Sequence, residues 1–230
     1  MADANAILLV MQNPVEGRDG DHREWYLTHH LPDVCAVPGV LRGEFASVTD
    51  RPEGLRWTNS AAYWLNGDPA TVLDEIFRRA GSGEWTMSDT LDRELTMMTI
   101  GEALTARVRS TVTPDADGKD RLLYIVLTNA TPGDDDVFND WYSNTHIPDV
   151  LAVPGFVAAQ RFRLVDHPAL KPYPFRYLAI YEVLASAAEG AFAELSARAG
   201  TERMILSPTL DTSGVAAAPY AADGVCIGSV

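Results

Sequence analysis

The sequence predicts an α+β fold made of two β-α-β-β-α-β halves. Three observations carry that expectation. A fifteen-residue motif occurs twice, each half shows the same succession of strand-like and helix-like segments, and the strands are too apolar for a sheet covered on one face only.

The motif runs from Trp25 to Gly39 and returns from Trp141 to Gly155, an offset of 116, with 10 of 15 positions identical. The register holds upstream, where Leu9-Val10-Met11-Gln12-Asn13 lies over Ile125-Val126-Leu127-Thr128-Asn129, and drifts by a few residues downstream. Two copies of about 110 residues are too long and too few for a solenoid, so they read as a duplicated domain. The expected division is residues 1–112, a polar acidic joint at 113–120, and residues 121–230.

Each element follows from its residues. Ala6–Gln12 and Leu122–Thr128 are short β-rich runs of buried-strand type. Polar loops precede the motif helix in both halves. Val40–Thr49 and Phe156–Val165 form the second strand, and Trp57–Leu65 and Phe175–Leu184 the third. Thr71–Ala80, with Pro69 in its first turn, and Ser186–Ala199 read as helices ending at Gly81 and Gly200. A last strand falls within Glu94–Leu104 and Ser213–Tyr220. This order is the ferredoxin-like split βαβ pattern. The apolar residues Leu8, Val10, Ala62, Trp64 and Met97 are expected on the bare sheet face, where two sheets packed face to face would cover them.

Charge narrows the function. The chain of 230 residues carries 18 Lys+Arg against 32 Asp+Glu, a net charge of −14. Nucleic acid and anionic membrane surfaces are unsuitable partners for such a protein. No apolar run approaches the length of a membrane helix. The N-terminus has no basic start and no small-residue cleavage site of a signal peptide. With only Cys35 and Cys226, the simpler reading is reduced thiols in a cytoplasmic protein, Cys35 filling core space.

On helical spacing Tyr26, His30 and Asp33 share one face, as do Tyr142, His146 and Asp149. Pro32 and Pro148 predict that the helix kinks or ends near each histidine. A helix break with an imidazole beside a carboxylate and a phenol suits proton transfer. The same residues also fit a plain helix stop, with Asp33 and Asp149 capping free amides and Trp25 and Trp141 packing.

The pattern Trp-Tyr-x-x-x-His-x-Pro-Asp-Val-x-x-Val-Pro-Gly, present in both halves, resembles the EthD-type branch of the dimeric α/β-barrel superfamily. Ordinary members have one such domain per chain and pair. The resemblance therefore implies a fused pair here, two ferredoxin-like repeats packed sheet to sheet, with further homodimerisation left open. It implies a cavity in each half for a small, often cyclic or aromatic molecule. Relatives include lactone isomerases, polyketide cyclases and dehydratases, cofactor-free oxygenases and haem-using branches. The histidine of the motif carries over to His30 and His146 as the proton-transfer residue. Asp33 or Asp149 would orient it, and Tyr26 or Tyr142 would bind a substrate oxygen. The leading expectation is a lyase or isomerase without cofactor. The alternatives are a cofactor-free oxygenase and a non-catalytic binder.

The halves differ around the motif. His29 is matched by Thr145 and Trp64 by Glu182, so the cavities are expected to be unlike. His29, Tyr63, Trp64 and Trp85 would line the first, and Arg161 and Tyr181 the second. The first is the richer constellation, pairing His29-His30 with aromatic residues. No metal is expected, because the five histidines and two cysteines show no ligand spacing. Phosphate-binding loops and a nucleophile elbow are also missing from the sequence.

Overall fold

The computed structural model describes residues 4–114 and 120–228, so most of the expected joint lies outside the described residues. Among the described residues the chain forms two compact units. The first comprises residues 4–103, 164–173 and 222–228, the second residues 104–163 and 174–221.

In the first unit, β1 (Ala6–Gln12) is buried at every residue. It is followed by α1 (Asp19–Trp25), a π-turn over Tyr26–His30 and α2 (Leu31–Cys35). Then come β2 (Val40–Val48), β3 (Asn59–Leu65), α3 (Pro69–Ser82) and β4 (Met97–Ala103). The strand order is β4-β1-β3-β2, with antiparallel pairing throughout. The even-numbered residues of β1 face the helices with Phe45, Ala61, Tyr63 and Ile100.

That register corrects one expectation. Leu8 and Val10 pair with Tyr63 and Ala61, and so pack under the helices, not on the opposite face with Ala62. A one-residue difference in parity decides the face. α3 starts as expected, Asp68 accepting from the Thr71 amide at 2.8 Å with Pro69 at the first position. It runs past Gly81, and the left-handed residue that ends it is Gly83, at φ 83°.

The second unit has β5 (Val108–Arg109), β6 (Arg121–Ala130), α4 (Asp135–Trp141), a π-turn over Tyr142–His146 and α5 (Ile147–Leu151). β7 (Phe156–Val165), β8 (Tyr177–Leu184), a 3₁₀ turn at Ala185–Ala187, α6 (Ala188–Arg198) and β9 (Leu210–Ile227) follow. Strands run β9-β6-β8-β7-β5. β5 pairs with β7, which attaches the residues around it to this unit. β9 is far longer than expected; its last residues, 222–227, belong to the first unit, where they neighbour β2.

The Pro-Gly turn after the motif helix is the same in both units. Gly39 and Gly155 sit at φ 92° and 100°, a conformation open to glycine at little strain. A Cβ there would also come within 2.8 Å of Val72 or Ala191, so helix packing adds a second demand for glycine.

Candidate functional site

The proline does not end the motif helix. Leu31 N–H donates to Tyr26 O, and Ile147 N–H to Tyr142 O, each five residues back. The widened turn takes up the misfit of Pro32 and Pro148, and the chain continues helically beyond them. The expected kink or stop is therefore a π-turn. Its consequence is a contact that α-helical spacing does not give. His30 stacks on Trp25 at 4.8 Å, and His146 stacks on Trp141 at 4.9 Å, five residues apart in each case.

In each expected triad the tyrosine and histidine are in edge-on ring contact, Tyr26 with His30 at 4.9 Å and Tyr142 with His146 at 4.8 Å. Among the described residues no hydrogen bond or ion pair joins Asp33 to His30 or Asp149 to His146; burial raises both carboxyl groups instead. The Nδ1 atoms of His30 and His146 are buried without a hydrogen-bond partner. Burial lowers both imidazoles to about 4, so they are neutral at neutral pH.

The tyrosines are committed elsewhere. Tyr26 and Tyr63 join hydroxyl to hydroxyl at 3.0 Å, and Tyr181 donates to Tyr142 at 3.3 Å. Burial pushes Tyr26 up to about 12 and raises the other three as well. Trp85 meets His30 edge-on at 6.0 Å, which leaves His30 between two indoles. His29 is exposed on the far side of the helix. Trp64 points to the other sheet face, under the Arg42 guanidinium at 4.9 Å, and its counterpart Glu182 is bound by Arg107 and Arg121. Arg161 is fully buried, donating to Asn139 O, Asn139 Oδ1 and Ser143 Oγ at 3.3, 2.9 and 2.8 Å. The guanidinium expected to line the second cavity is thus internal and held by these acceptors.

A cleft beside these groups lies in the first unit, lined by His22 and Phe45 but not by His30. It holds about 220 Å³ between α1, β2 and β3, lined by Asp19, His22, Arg23, Phe45, Ser47, Val48, Thr58 and Asn59. A second, more open cleft of about 570 Å³ over Arg51–Arg56 contains none of the motif residues. His22 forms the floor of the first. It is 1% exposed, its Nδ1 is 3.0 Å from Thr90 Oγ1, and its Nε2 is buried without a partner. Thr90 in turn bonds Ser88 Oγ at 2.8 Å. Burial lowers His22 to about 4, with Asp19 acting in the opposite sense. Gln12 is also fully buried, with its side chain against the Tyr26 hydroxyl. Phe45 stacks on Tyr26 at 4.3 Å and closes the apolar side.

Residue-by-residue reading of the motif could not find His22, which precedes it. Its one signal was the repeat, which sets Phe138 against His22 and Arg161 against Phe45. In the second unit the same Ser-Thr pair recurs, Ser207 and Thr209 at 2.7 Å, without a histidine on it. Among the described residues no group of three or more His, Cys, Asp or Glu side chains could hold a metal ion.

Cys35 and Cys226 are not reduced thiols. They form a disulfide within the first unit, so the argument for a reducing compartment loses its basis. Among the described residues no helix is long and apolar enough to cross a membrane.

No family model matches the sequence, and no curated protein matches it. Solved structures do. An anthrone oxidase-like protein aligns over 99% of this chain and 94% of its own, with a TM-score of 0.63 and 14% identity. A proposed monooxygenase of Fusobacterium nucleatum aligns over 100% and 98%, at 0.56 and 9%. A mutant chlorite dismutase of Candidatus Nitrospira defluvii aligns over 95% and 91%, at 0.54 and 5%. At such identities the likeness speaks for the fold alone, and the fold this chain shares with these neighbours is the α+β dimeric α/β-barrel fold.

Proposed function

We propose that this chain is a small-molecule enzyme working by proton transfer in the cleft of the first unit, with His22 as the proton acceptor. The observation that carries this reading is the unpartnered Nε2 of a fully buried, neutral imidazole at the floor of a 220 Å³ cleft. Thr90, backed by Ser88, fixes the ring from behind. A compact aromatic or enolisable molecule would lie against Phe45, with its acidic O–H or C–H toward His22. The neutral ring is a base in waiting. An anion forming beside it stabilises the imidazolium, which offsets the burial that otherwise disfavours it.

The anion can then rearrange, as in the lyase or isomerase reading, or react with dioxygen. The fold neighbours described as monooxygenases and anthrone oxidase-like favour the second course. The two units are read as duplicated ferredoxin-like repeats related to EthD-type domains. His30 and His146 are assigned a packing role, each within its own unit, where they stack on Trp25 and Trp141.

Oxygen uptake with anthrone as substrate, followed by product analysis, tests this. The substitution H22F, which copies the second unit, should reduce turnover about a hundredfold. The pair H30A/H146A should reduce it far less. Binding without product would make the chain a binder. Full turnover in H22F would return the proton-transfer role to His30 and His146.

A further inference from the structure

The first unit holds a cross-link that the proposed chemistry does not use. Cys35 ends α2, and Cys226, 191 residues on, lies in the last strand; the two are disulfide-bonded with Cα atoms 6.3 Å apart. β2 makes room for the bond. A Cβ on Gly43 would come within 2.7 Å of the Cys35 sulfur. The second unit has Leu151 and Ala159 at the positions of Cys35 and Gly43, so the cross-link belongs to the first unit alone.

Three residues before Cys226, Asp223 reaches the rim of the cleft. One carboxylate oxygen accepts from Arg23 Nε at 3.0 Å, and the other accepts from the Ser47 hydroxyl. Ser47 Oγ accepts from Asn59 Nδ2 at 2.9 Å. Arg23, Ser47 and Asn59 all line the cleft. One carboxylate on the cross-linked strand thus orients three wall residues. The backbone of the same strand end is held by its place beside β2 and by Gly228 N–H donating to Leu41 O at 3.0 Å.

We infer that the Cys35–Cys226 disulfide is a redox latch on the cleft: closed, it keeps Asp223 holding the wall in binding geometry, and its reduction loosens that wall and weakens the ligand. This rests on the cleft being the binding site. The switching step is thiol–disulfide exchange with a dithiol. The dithiol supplies two electrons and two protons. The Cys35–Cys226 bond breaks to two thiols, and the dithiol closes to its own disulfide.

The test uses the full chain, oxidised and after dithiothreitol, with two readouts. Hydrogen exchange over residues 222–228 should speed up at least tenfold on reduction. Binding of 4-nitrophenol, followed by its absorbance, should weaken severalfold. The substitution D223N keeps the disulfide and should weaken 4-nitrophenol as reduction does, with little further loss on adding dithiothreitol. A variant carrying C35S and C226S should resemble the reduced protein and ignore the reductant. Reduction that yields two titratable thiols while exchange and affinity stay unchanged overturns the latch. So do free thiols in the untreated protein. If the oxidised protein fails to bind 4-nitrophenol while exchange still responds, the cleft reading falls and only the hold of the disulfide on residues 222–228 survives.

Discussion

At matching positions of the repeat, Phe45 of the first unit lies on Tyr26 at 4.3 Å, and Arg161 of the second lies over Tyr142 at 4.1 Å. The surroundings changed with them. His22, Arg23, Leu27 and Asn59 of the first unit correspond to Phe138, Asn139, Ser143 and Tyr177 of the second. Asn139 and Ser143 are the groups that accept from the Arg161 guanidinium, and Phe138 and Tyr177 lie 5.4 and 5.7 Å from it. A buried cation must find acceptors, so the arginine and its partners form one set. The first unit carries the opposite set, with an aromatic ring where the cation sits and a buried histidine that lines a cleft and has an unpartnered Nε2. The same π-turn, the same Trp-His stack and the same tyrosine pair thus support two different interiors. The teaching is that the shared motif builds the frame, and the residues outside it decide what the frame encloses.

The largest expected effect comes from mixing the two sets. Phe45→Arg would bury a guanidinium facing Arg23 and Leu27, with neither Asn139 nor Ser143 to receive it. An uncompensated buried charge should destabilise by about 3–5 kcal/mol. Urea denaturation measures this. Adding R23N and L27S should recover part of the loss. If F45R alone unfolds at wild-type urea concentrations, the sets are not coupled.

Acid should weaken the units unequally. Burial lowers His22 and His30 to about 4 in the first unit, but only His146 in the second. An unfolded histidine titrates near 6.5. Between those values the unfolded chain takes up protons that the folded chain refuses. Stability is therefore full above about pH 6.5 and falls as the pH drops toward 4, by about 1–2 kcal/mol for each histidine after allowing for relaxation. Amide exchange at pH 5 should accelerate more in the first unit. H22F should reduce that difference, since it removes one of the two titrating groups. Equal acceleration in both units would mean that His22 is not held neutral by its surroundings.

How much of this was legible in the sequence differs by element. β1 has the expected bounds, and so does β7, because short apolar runs flanked by turn formers leave few alternatives. The repeat exposed the motif helix and its Pro-Gly turn. The π-turn was not legible, because a proline four residues from a carbonyl reads equally as a stop, a kink or a widened turn. That one extra residue per turn brought the tryptophans onto the histidines. The Cys35–Cys226 bond was invisible for another reason. Residues 191 apart meet only through the return of β9, and nothing local reports it. His22 was readable in principle, since a histidine opposite a phenylalanine in a repeat marks a changed environment. It lies upstream of the identical stretch, where the repeat keeps its register but not its residue types.

The smallest expected effect sharpens the comparison most. Arg161→Phe would give the second unit the aromatic partner that the first already has, and a phenyl ring can stack on Tyr142 as Phe45 does on Tyr26. Asn139 and Ser143 are half-buried, so water can take over the hydrogen bonds they lose. Replacing a buried charge by an apolar group of similar size is often close to neutral. Stability should stay within about 1 kcal/mol of wild type in urea, against the several expected for F45R. The Tyr142 hydroxyl should become harder to ionise, because the Arg161 charge now partly offsets its burial. A loss of about 3 kcal/mol or more would mean that the charge itself is needed. The second unit would then have to hold an anion against Arg161, and its interior would be a site and not a filled core.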